Sequence, residues 1–200
     1  MLVLVLDALR WECRGERRRL DPDRLLVRSG ETAVVAGGST ADADTFTEVL
    51  LGRAPLPGGH IRLADAVIPL DVRREIALVP AGGGLFPYLS VRENIVCGRR
   101  GITGAAVRDA AARFRLNGHL DRRPGDLGHE ERVRVALARA TCATAIRVLV
   151  VEDRAGEVPC HRAVDTARRE LPDLPVVVVT DDPTQVVTLR ASQWEIVDAA

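Results

Sequence analysis

Short apolar runs rich in β-branched residues alternate along the chain with stretches of helical periodicity, a pattern typical of an α/β protein. Strands are predicted at residues 2–6, 33–35, 76–79, 147–151 and 176–179. Each of the last two contains a continuous apolar run of four residues, as expected for strands buried on both faces of a mostly parallel central sheet. Residues 60–63 and 66–68 flank a short turn and predict a hairpin in an antiparallel edge layer.

Between residues 85 and 140 the pattern becomes helical and rich in Arg and Ala, most strongly at residues 105–114 and 131–142. No Ser-rich or Pro-rich linker separates this region from the strands around it. We therefore predict one domain over residues 1–200, with a core of residues 1–81 and 143–200 and an inserted helical subdomain at about 82–142.

Composition narrows the function classes. With 46% hydrophobic residues, the chain of 200 can form one substantial core. Basic and acidic residues number 28 each, so net charge does not favour a nucleic-acid partner, and the arginine-rich run at 14–19 is predicted to be a solvated edge. Four scattered cysteines and a short apolar start predict a reduced cytoplasmic protein.

Residues 34–52 have the strand, glycine turn and helix of a phosphate-binding loop, but the chain contains no lysine. Where that loop has Gly-Lys-Ser/Thr, this chain has Asp42-Ala43-Asp44, while it keeps Gly37, Gly38 and Thr45. Lysine and backbone N–H groups normally cradle the phosphates. Two like charges about 4 Å apart near a protein surface repel by about 4 kcal/mol, so the aspartates oppose polyphosphate. The alternative is that Asp42 or Asp44 simply caps the helix.

Six segments in order resemble the nucleotide-binding subunit of ABC transporters, in particular the molybdate-type importer ATPase, over nearly the whole chain. They are residues 29–31, Gly52, 85–95, 132–140, 147–153 and 175–183. The resemblance implies a P-loop NTPase-like ABC ATPase fold, with a mostly parallel central sheet, an antiparallel β edge layer and the inserted helical subdomain.

The family's catalytic positions are degenerate in this chain. The glutamine that senses magnesium corresponds to Ala81, and the signature sequence corresponds to residues 127–131, where its serine and glycine positions are Gly128, His129 and Glu130. The aspartate expected in the family's D-loop corresponds to the neighbourhood of Pro159.

The acidic pair that ends a central strand is also altered. It is reversed to Glu152-Asp153 and is followed by Arg154 in place of proline, while the switch histidine corresponds to Asp181. For the aromatic residue that stacks on adenine, Trp11 is the nearest candidate, and a plain core tryptophan is the alternative.

These changes predict a pseudo-ATPase that does not hydrolyse ATP and acts as an interaction, regulatory or structural subunit linked to an ABC transporter. In the family, residues 85–95 correspond to the surface that faces the permease, so an ABC permease or another ATPase subunit is the predicted partner, although this segment can also simply pack the subdomain. No cofactor is expected, ATP binding is not favoured, and a monomer or an ATP-independent dimer is expected. A permease partner would make the cytoplasmic chain peripheral at the inner face of the membrane.

Two alternatives remain. The first is an acidic site for magnesium, calcium or manganese, since oxygen ligands suit hard cations, with His129, His161 or Cys160 as secondary ligands. Crowded carboxylates can instead be protonated or hydrogen-bonded without metal. The second is residual nucleotide binding through Gly37, Gly38 and the loop N–H groups. The acidic site would draw on Asp42, Asp44, Glu152, Asp153, Asp181 and Asp182.

Overall fold

The computed structural model describes residues 3–63, 66–67, 75–98, 101–142, 146–154, 160–182 and 191–199. Ten strands are present in this part of the chain: β1 Val3–Cys13, β2 Glu16–Asp21, β3 Arg24–Arg28, β4 Thr32–Ala36, β5 Gly58–Leu63, β6 Ala66–Val67, β7 Ile76–Val79, β8 Val148–Asp153, β9 Val176–Thr180 and β10 Ser192–Asp198. Five α-helices accompany them: α1 Thr40–Leu50, α2 Val91–Val96, α3 Gly104–Arg113, α4 His129–Thr141 and α5 His161–Glu170. Two short 3₁₀ turns lie at Ala81–Gly83 and Pro124–Asp126.

The strands form one sheet with a parallel half and an antiparallel half. Its order is β6-β5-β1-β2-β10-β4-β9-β8-β7, with β3 paired to β1 off this path. Strands β10, β4, β9, β8 and β7 pair in parallel, whereas β2, β1, β5 and β6 pair antiparallel. The carboxyl ends of parallel strands lie on one edge of a sheet, which is where α/β proteins bind ligands. The segments after β4, β8 and β9 therefore meet at the edge where the phosphate-binding loop is predicted.

The parallel strands are buried on both faces because successive side chains point to opposite sides of the sheet. Val176 and Val178 of β9 pack on the side of helices α2 to α5, while Val177 and Val179 pack on the other side with α1. On the α1 side, Trp11 of β1 and Phe46 of α1 are fully buried. The hydrophobic cluster on the α1 side thus holds this helix between the antiparallel layer and the central sheet.

The predicted strands, the two strongest helical segments and the edge hairpin are confirmed, although Leu2 and Ile68 lie outside the described residues. Helices α2, α3 and α4 follow β7 and precede β8. Strands β2, β3 and β10 and helix α5 were not predicted. Within the described residues, no helix is both long enough and apolar enough to cross a membrane.

The arginine-rich run at residues 14–19 was predicted to be a solvated edge, but one of its arginines is largely buried. It forms the turn between β1 and β2 and most of β2, and the side chain of Arg18 is only 13% exposed. An ion pair to Asp42 draws this side chain inward over the start of α1.

Candidate functional site: a closed P-loop position

Helix α1 begins inside the segment that would wrap a phosphate. Ser39 is its N-cap, and the Ser39 hydroxyl accepts a hydrogen bond of 3.2 Å from the backbone N–H of Asp42. The backbone N–H of Ala43 donates to the carbonyl of Ser39 at 3.1 Å. Two N–H groups in the predicted phosphate-binding segment are therefore already used within the chain. The cap is Ser39, rather than Asp42 or Asp44 as predicted.

Gly37 makes close packing contacts with this helical turn. A Cβ at position 37 would lie 2.9 Å from the backbone nitrogen of Ala43 and 3.0 Å from the carbonyl oxygen of Ser39. The backbone N–H of Gly37 donates to the carbonyl of Thr180 on β9 at 2.8 Å. Glycine at this position is thus required by the chain's own packing, and the space beside Gly37 is filled by the start of α1.

Asp42 forms a shielded ion pair with Arg18 of β2. The two atoms Arg18 Nε and Asp42 Oδ1 are 2.8 Å apart, and the side chains are 13% and 10% exposed. Burial by itself would raise the pKa of Asp42, but the hydrogen bonds from Arg18 and from the Ser39 hydroxyl outweigh it and lower the pKa below its ordinary value. Asp42 is therefore a carboxylate at neutral pH, neutralised by an internal arginine.

Arg154 forms the corresponding ion pair with the second aspartate, Asp44. Its Nη2 lies 2.6 Å from Asp44 Oδ1 and 3.3 Å from Glu152 Oε1, and its Nη1 donates to the carbonyl of Val179 at 2.9 Å. The Arg154 side chain is 10% exposed. One guanidinium therefore ties the P-loop helix to the ends of β8 and β9.

The second carboxylate of the reversed pair faces the core. Asp153 is 3% exposed and accepts hydrogen bonds from the backbone N–H of Cys160 at 3.0 Å and from the Thr180 hydroxyl at 3.1 Å. Burial and the charge of Asp153 raise the pKa of the Cys160 thiol to about 12. Asp153 therefore holds the start of α5 against β9.

Asp181, predicted to stand at the position of the family's switch histidine, also has a partner within the chain. Its Oδ2 accepts a hydrogen bond of 2.6 Å from the Thr40 hydroxyl, in the first turn of α1. The neighbouring Asp182 is held through its backbone N–H, which donates to the Thr180 hydroxyl at 2.9 Å. The hydrogen bond between Thr40 and Asp181 thus adds a further link between α1 and the end of β9.

The predicted cluster of six carboxylates is not formed. Asp42 forms an ion pair with Arg18, and Asp44 and Glu152 form ion pairs with Arg154. Each of these three carboxylates is therefore neutralised by an arginine of the same chain. In the part of the chain that the structure describes, no group of three or more His, Cys, Asp or Glu side chains is placed to hold a metal ion. The structure thus gives the metal alternative no coordinating geometry among these residues, and cation binding itself stays a prediction.

At the predicted signature position, the polar groups of residues 128 and 130 also have partners within the chain. Gly128 is the N-cap of α4, and its backbone N–H donates to the Glu131 carboxylate at 2.6 Å. Glu130, predicted to add a negative charge here, pairs with Arg134 one turn along the helix at 2.6 Å. His129 lies between them in sequence, and burial, followed by the charges of Arg162 and Arg132, lowers the pKa of its imidazole.

Trp11, the nearest candidate for stacking on adenine, is a core residue. It is 1% exposed and packs against Phe46 with ring centroids 5.3 Å apart. The ring that would receive the base is thus covered by α1. Pro159, the D-loop position, lies outside the described residues.

The segment predicted to face a permease is held in one conformation by a buried asparagine. The Asn94 side chain, fully buried in α2, accepts from the backbone N–H of Phe86 at 2.8 Å and donates to the carbonyls of Phe86, Leu89 and Ser90 at 3.0–3.1 Å. Phe86 and Tyr88 are nevertheless 38% and 67% exposed, with ring centroids 5.9 Å apart. Residues 86–90 are therefore a braced loop that presents two aromatic rings to solvent.

Sequence reasoning missed the roles of three residues: Arg18, Arg154 and Asn94. Arg154 stood out only as a replacement for proline, and Arg18 was one arginine in a basic run. A search for cations able to balance the new aspartates could have suggested both arginines, because buried charges in proteins are paired. The hydrogen bonds of Asn94 to residues 86–90 have no such signal in the sequence.

Comparison with known proteins agrees with this architecture. The family model described as "ABC transporter" matches residues 20–151. The sn-glycerol-3-phosphate import ATP-binding protein UgpC of Jannaschia sp. (strain CCS1) is 33% identical over 150 residues, covering 70% of this chain and 42% of that protein. The putative 2-aminoethylphosphonate import ATP-binding protein PhnT of Salmonella typhi is 29% identical over 200 residues, covering 93% of this chain and 54% of that protein.

Two solved structures share the fold at lower identity. The cbiO1 protein of Clostridium perfringens, part of the ABC transporter complex cbiONQ, superposes with a TM-score of 0.66 at 18% identity, over 90% of this chain and 78% of that one. An ATP-bound bacterial Atm1-family ABC exporter gives a TM-score of 0.63 at 18% identity, over 92% of this chain and 35% of the exporter. The chain spans about half the length of the curated relatives it matches. The protein therefore belongs to the ABC transporter ATP-binding family and has the mixed α/β fold of its ATPase domains.

Proposed function

We propose that this chain is an ABC-type ATPase domain that does not hydrolyse ATP and serves as an interaction or regulatory subunit of a transporter. The observation that carries the proposal is the Arg18–Asp42 ion pair at the P-loop position, 2.8 Å long and shielded from solvent. Relatives in the family are named as ATP-binding import proteins. The proposal is that this chain has exchanged their phosphate-binding groups for internal ion pairs.

The free-energy cost of opening the P-loop position is a reason to expect low affinity for nucleotide. A phosphate at this position would have to unwind the first turn of α1 and displace Asp42 from Arg18. Breaking a buried ion pair on one side costs about 3–5 kcal/mol, and a ligand that binds at 1 μM supplies only about 8 kcal/mol. Repulsion from Asp42 and Asp44 adds to the cost. We therefore expect any residual affinity for Mg-ATP to be weaker than roughly 1 mM.

A partner-binding role is supported by the braced loop at residues 86–90. Phe86 and Tyr88 are the large apolar side chains that are exposed among the described residues. Aromatic side chains held in advance in one conformation bind partners with little loss of entropy and are frequent interface hot spots. The partner that we propose is an ABC permease or another ATPase subunit, and a permease would place the chain at the inner face of the membrane.

The ATP part of the proposal is tested by calorimetric titration with Mg-ATP, with the Jannaschia UgpC protein as the positive control. We expect no binding by the unaltered chain up to roughly 1 mM. The triple variant Asp42→Gly, Ala43→Lys and Asp44→Ser restores the family's triplet, and we expect it to gain binding. The single variant Asp44→Ser is the matched control, since it leaves the Arg18–Asp42 pair intact. Micromolar binding or ATP turnover by the unaltered chain would refute the proposal.

The partner part is tested by co-purification from native membranes, with captured proteins identified by mass spectrometry. The unaltered chain should recover a permease or an ATPase subunit, and the double variant Phe86→Ala, Tyr88→Ala should lose it. Arg108→Ala changes an exposed side chain on α3 and is the control that should retain the partner. Equal recovery by all three proteins would show that the two aromatic rings are not the contact. The assembly state is expected to be the same with and without Mg-ATP in size-exclusion chromatography.

A further inference from the structure

A cavity of about 340 Å³ lies beneath the glycine-rich turn that follows β7. Its walls come from that turn, from the first turns of α4 and α5 and from the end of β8, and they include Gly83, His129, Val133 and Ala163. Among the described residues, none of the P-loop positions 37–45 lines it. The cavity is therefore separate from the closed P-loop position.

The cavity is large enough for a small organic molecule. Binding pockets for small ligands begin at about 300 Å³. At about 30 Å³ for each water molecule in the liquid, 340 Å³ corresponds to roughly eleven waters. A ligand of roughly ten non-hydrogen atoms therefore fits.

Most of the wall is apolar, with Val79, Leu85, Val133, Ala136 and Ala163 among its side chains. Water held against such a wall gains few hydrogen bonds, whereas an apolar group gains the hydrophobic contribution of burial. The body of a suitable ligand is therefore a short hydrocarbon.

The polar groups in the wall favour an anionic head. Glu152 is already neutralised, because it pairs with Arg154 at 3.3 Å and accepts from the backbone N–H of Ala81 at 3.3 Å. Arg132 also lines the cavity, and its guanidinium makes no ion pair with any of the residues that the structure describes. Among the described residues of the wall, the charge without an ion-pair partner is thus positive.

The surroundings of His129 point in the same direction. Its Nε2 is buried and has no hydrogen-bond partner among the residues that the structure describes. Burial, and then the nearby positive charges of Arg162 and Arg132, lower the pKa of this imidazole. Two arginines, Arg132 and Arg162, therefore lie near this end of the cavity.

We propose that this cavity binds a small carboxylate with an apolar body of roughly six carbons. The carboxylate pairs with Arg132, because guanidinium and carboxylate form a charge-assisted, two-pronged hydrogen bond. The hydrocarbon lies against Leu85, Val133 and Ala136. Leu85 and Pro87 both line the cavity, while Phe86 and Tyr88 are exposed on the outer side of the same segment. A bound carboxylate thus contacts the back of the braced loop, although the site does not rest on the partner proposal.

The test uses the ¹⁵N-labelled chain and three six-carbon probes: hexanoate, 1-hexanol and hexylamine. With hexanoate, amide shifts should be confined to residues around the cavity, chiefly 82–87 and 129–136, and should saturate in the millimolar range, at roughly 1 mM. The neutral and cationic probes should bind at least about tenfold more weakly, since they lack the charge-assisted contact.

Two variants locate the site. Arg132→Gln should weaken hexanoate binding about tenfold, whereas Arg108→Gln, an exposed arginine on α3 outside the cavity, should leave it unchanged. Val133→Phe should fill the cavity and abolish the shifts while the rest of the spectrum stays native; if that variant does not fold, Arg132→Gln decides the question alone. The proposal is overturned if hexanoate causes no saturable shifts, if 1-hexanol binds equally well, or if Arg132→Gln binds hexanoate like the unaltered chain.

Discussion

The Arg18–Asp42 ion pair can be measured by a double-mutant cycle with Arg18→Met and Asp42→Asn. Arg18→Met leaves the buried carboxylate of Asp42 without its cation. By itself, this loss costs about 3–5 kcal/mol of stability. Asp42 keeps the Ser39 hydroxyl at 2.7 Å, and its place in the first turn of α1 favours a carboxylate by about 0.3–1 kcal/mol. We therefore expect Arg18→Met to lower the free energy of unfolding by about 2–4 kcal/mol.

The reverse change should cost less. After Asp42→Asn, Arg18 still pairs with Glu16 at 2.6 Å and with Asp198 at 2.5 Å, and both of these carboxylates are well exposed. We expect a loss of about 1–3 kcal/mol, and a coupling energy between the two changes of about 1.5–3 kcal/mol, the range for hydrogen bonds to charged groups.

Urea unfolding at neutral pH, followed by far-UV circular dichroism, measures all four proteins of the cycle. Glu48→Gln is the matched control, because the Arg53–Glu48 pair is 3.2 Å long but has side chains 59% and 43% exposed. An exposed pair contributes at most about 1 kcal/mol. A coupling energy below about 0.5 kcal/mol, the limit of additivity for independent sites, would refute the idea that this pair closes the P-loop position.

Three further results are expected. The pKa of Asp42 is lowered in the folded chain. The stability difference between the unaltered chain and Asp42→Asn should therefore be fully present above the unfolded-state pKa of about 3.9, and it should be lost as pH falls through the folded-state pKa. Urea titrations at several pH values check this. Asn94→Leu should lower the free energy of unfolding by about 2–4 kcal/mol, because it leaves buried backbone groups of residues 86–90 unpaired, and should speed hydrogen exchange at the amide of Phe86. The pKa of Cys160 is raised to about 12 and only 4% of the residue is exposed. A thiol reagent at about pH 8 should therefore modify the half-buried Cys97 and Cys142 before Cys160; equal rates would contradict the environment assigned to Cys160.

Much of the central fold could be predicted because its signals are local. The runs at 148–151 and 176–179 are apolar at every position, and parallel strands covered on both faces require this composition. Strand β2 was missed because five of its six residues are charged, and its pairing with β1 and β10 decides its conformation. The pattern within 16–21 contains too little apolar periodicity to indicate a strand.

The candidate site could be predicted only in part. The sequence indicated that Asp42, Ala43 and Asp44 replace a phosphate-binding triplet, and it left open whether the aspartates cap the helix or bind a cation. The structure shows a third arrangement, in which Ser39 caps α1 and two arginines neutralise the aspartates. Neither arginine lies within 20 residues of its partner in the chain: the separations are 24 and 110 positions.

By itself, the sequence determined the α/β class, the central strands and the absence of lysine from the predicted P-loop segment, because these depend on residue identity and on short periodicities. Only the tertiary structure decided how the acidic replacements are used. Arg18 reaches Asp42 because β2 lies over the start of α1, and Arg154 reaches Asp44 because β8 ends beside that helix. The energy of an ion pair depends on the distance between its charges and on their exposure to solvent. Neither quantity can be obtained from neighbouring positions in a chain.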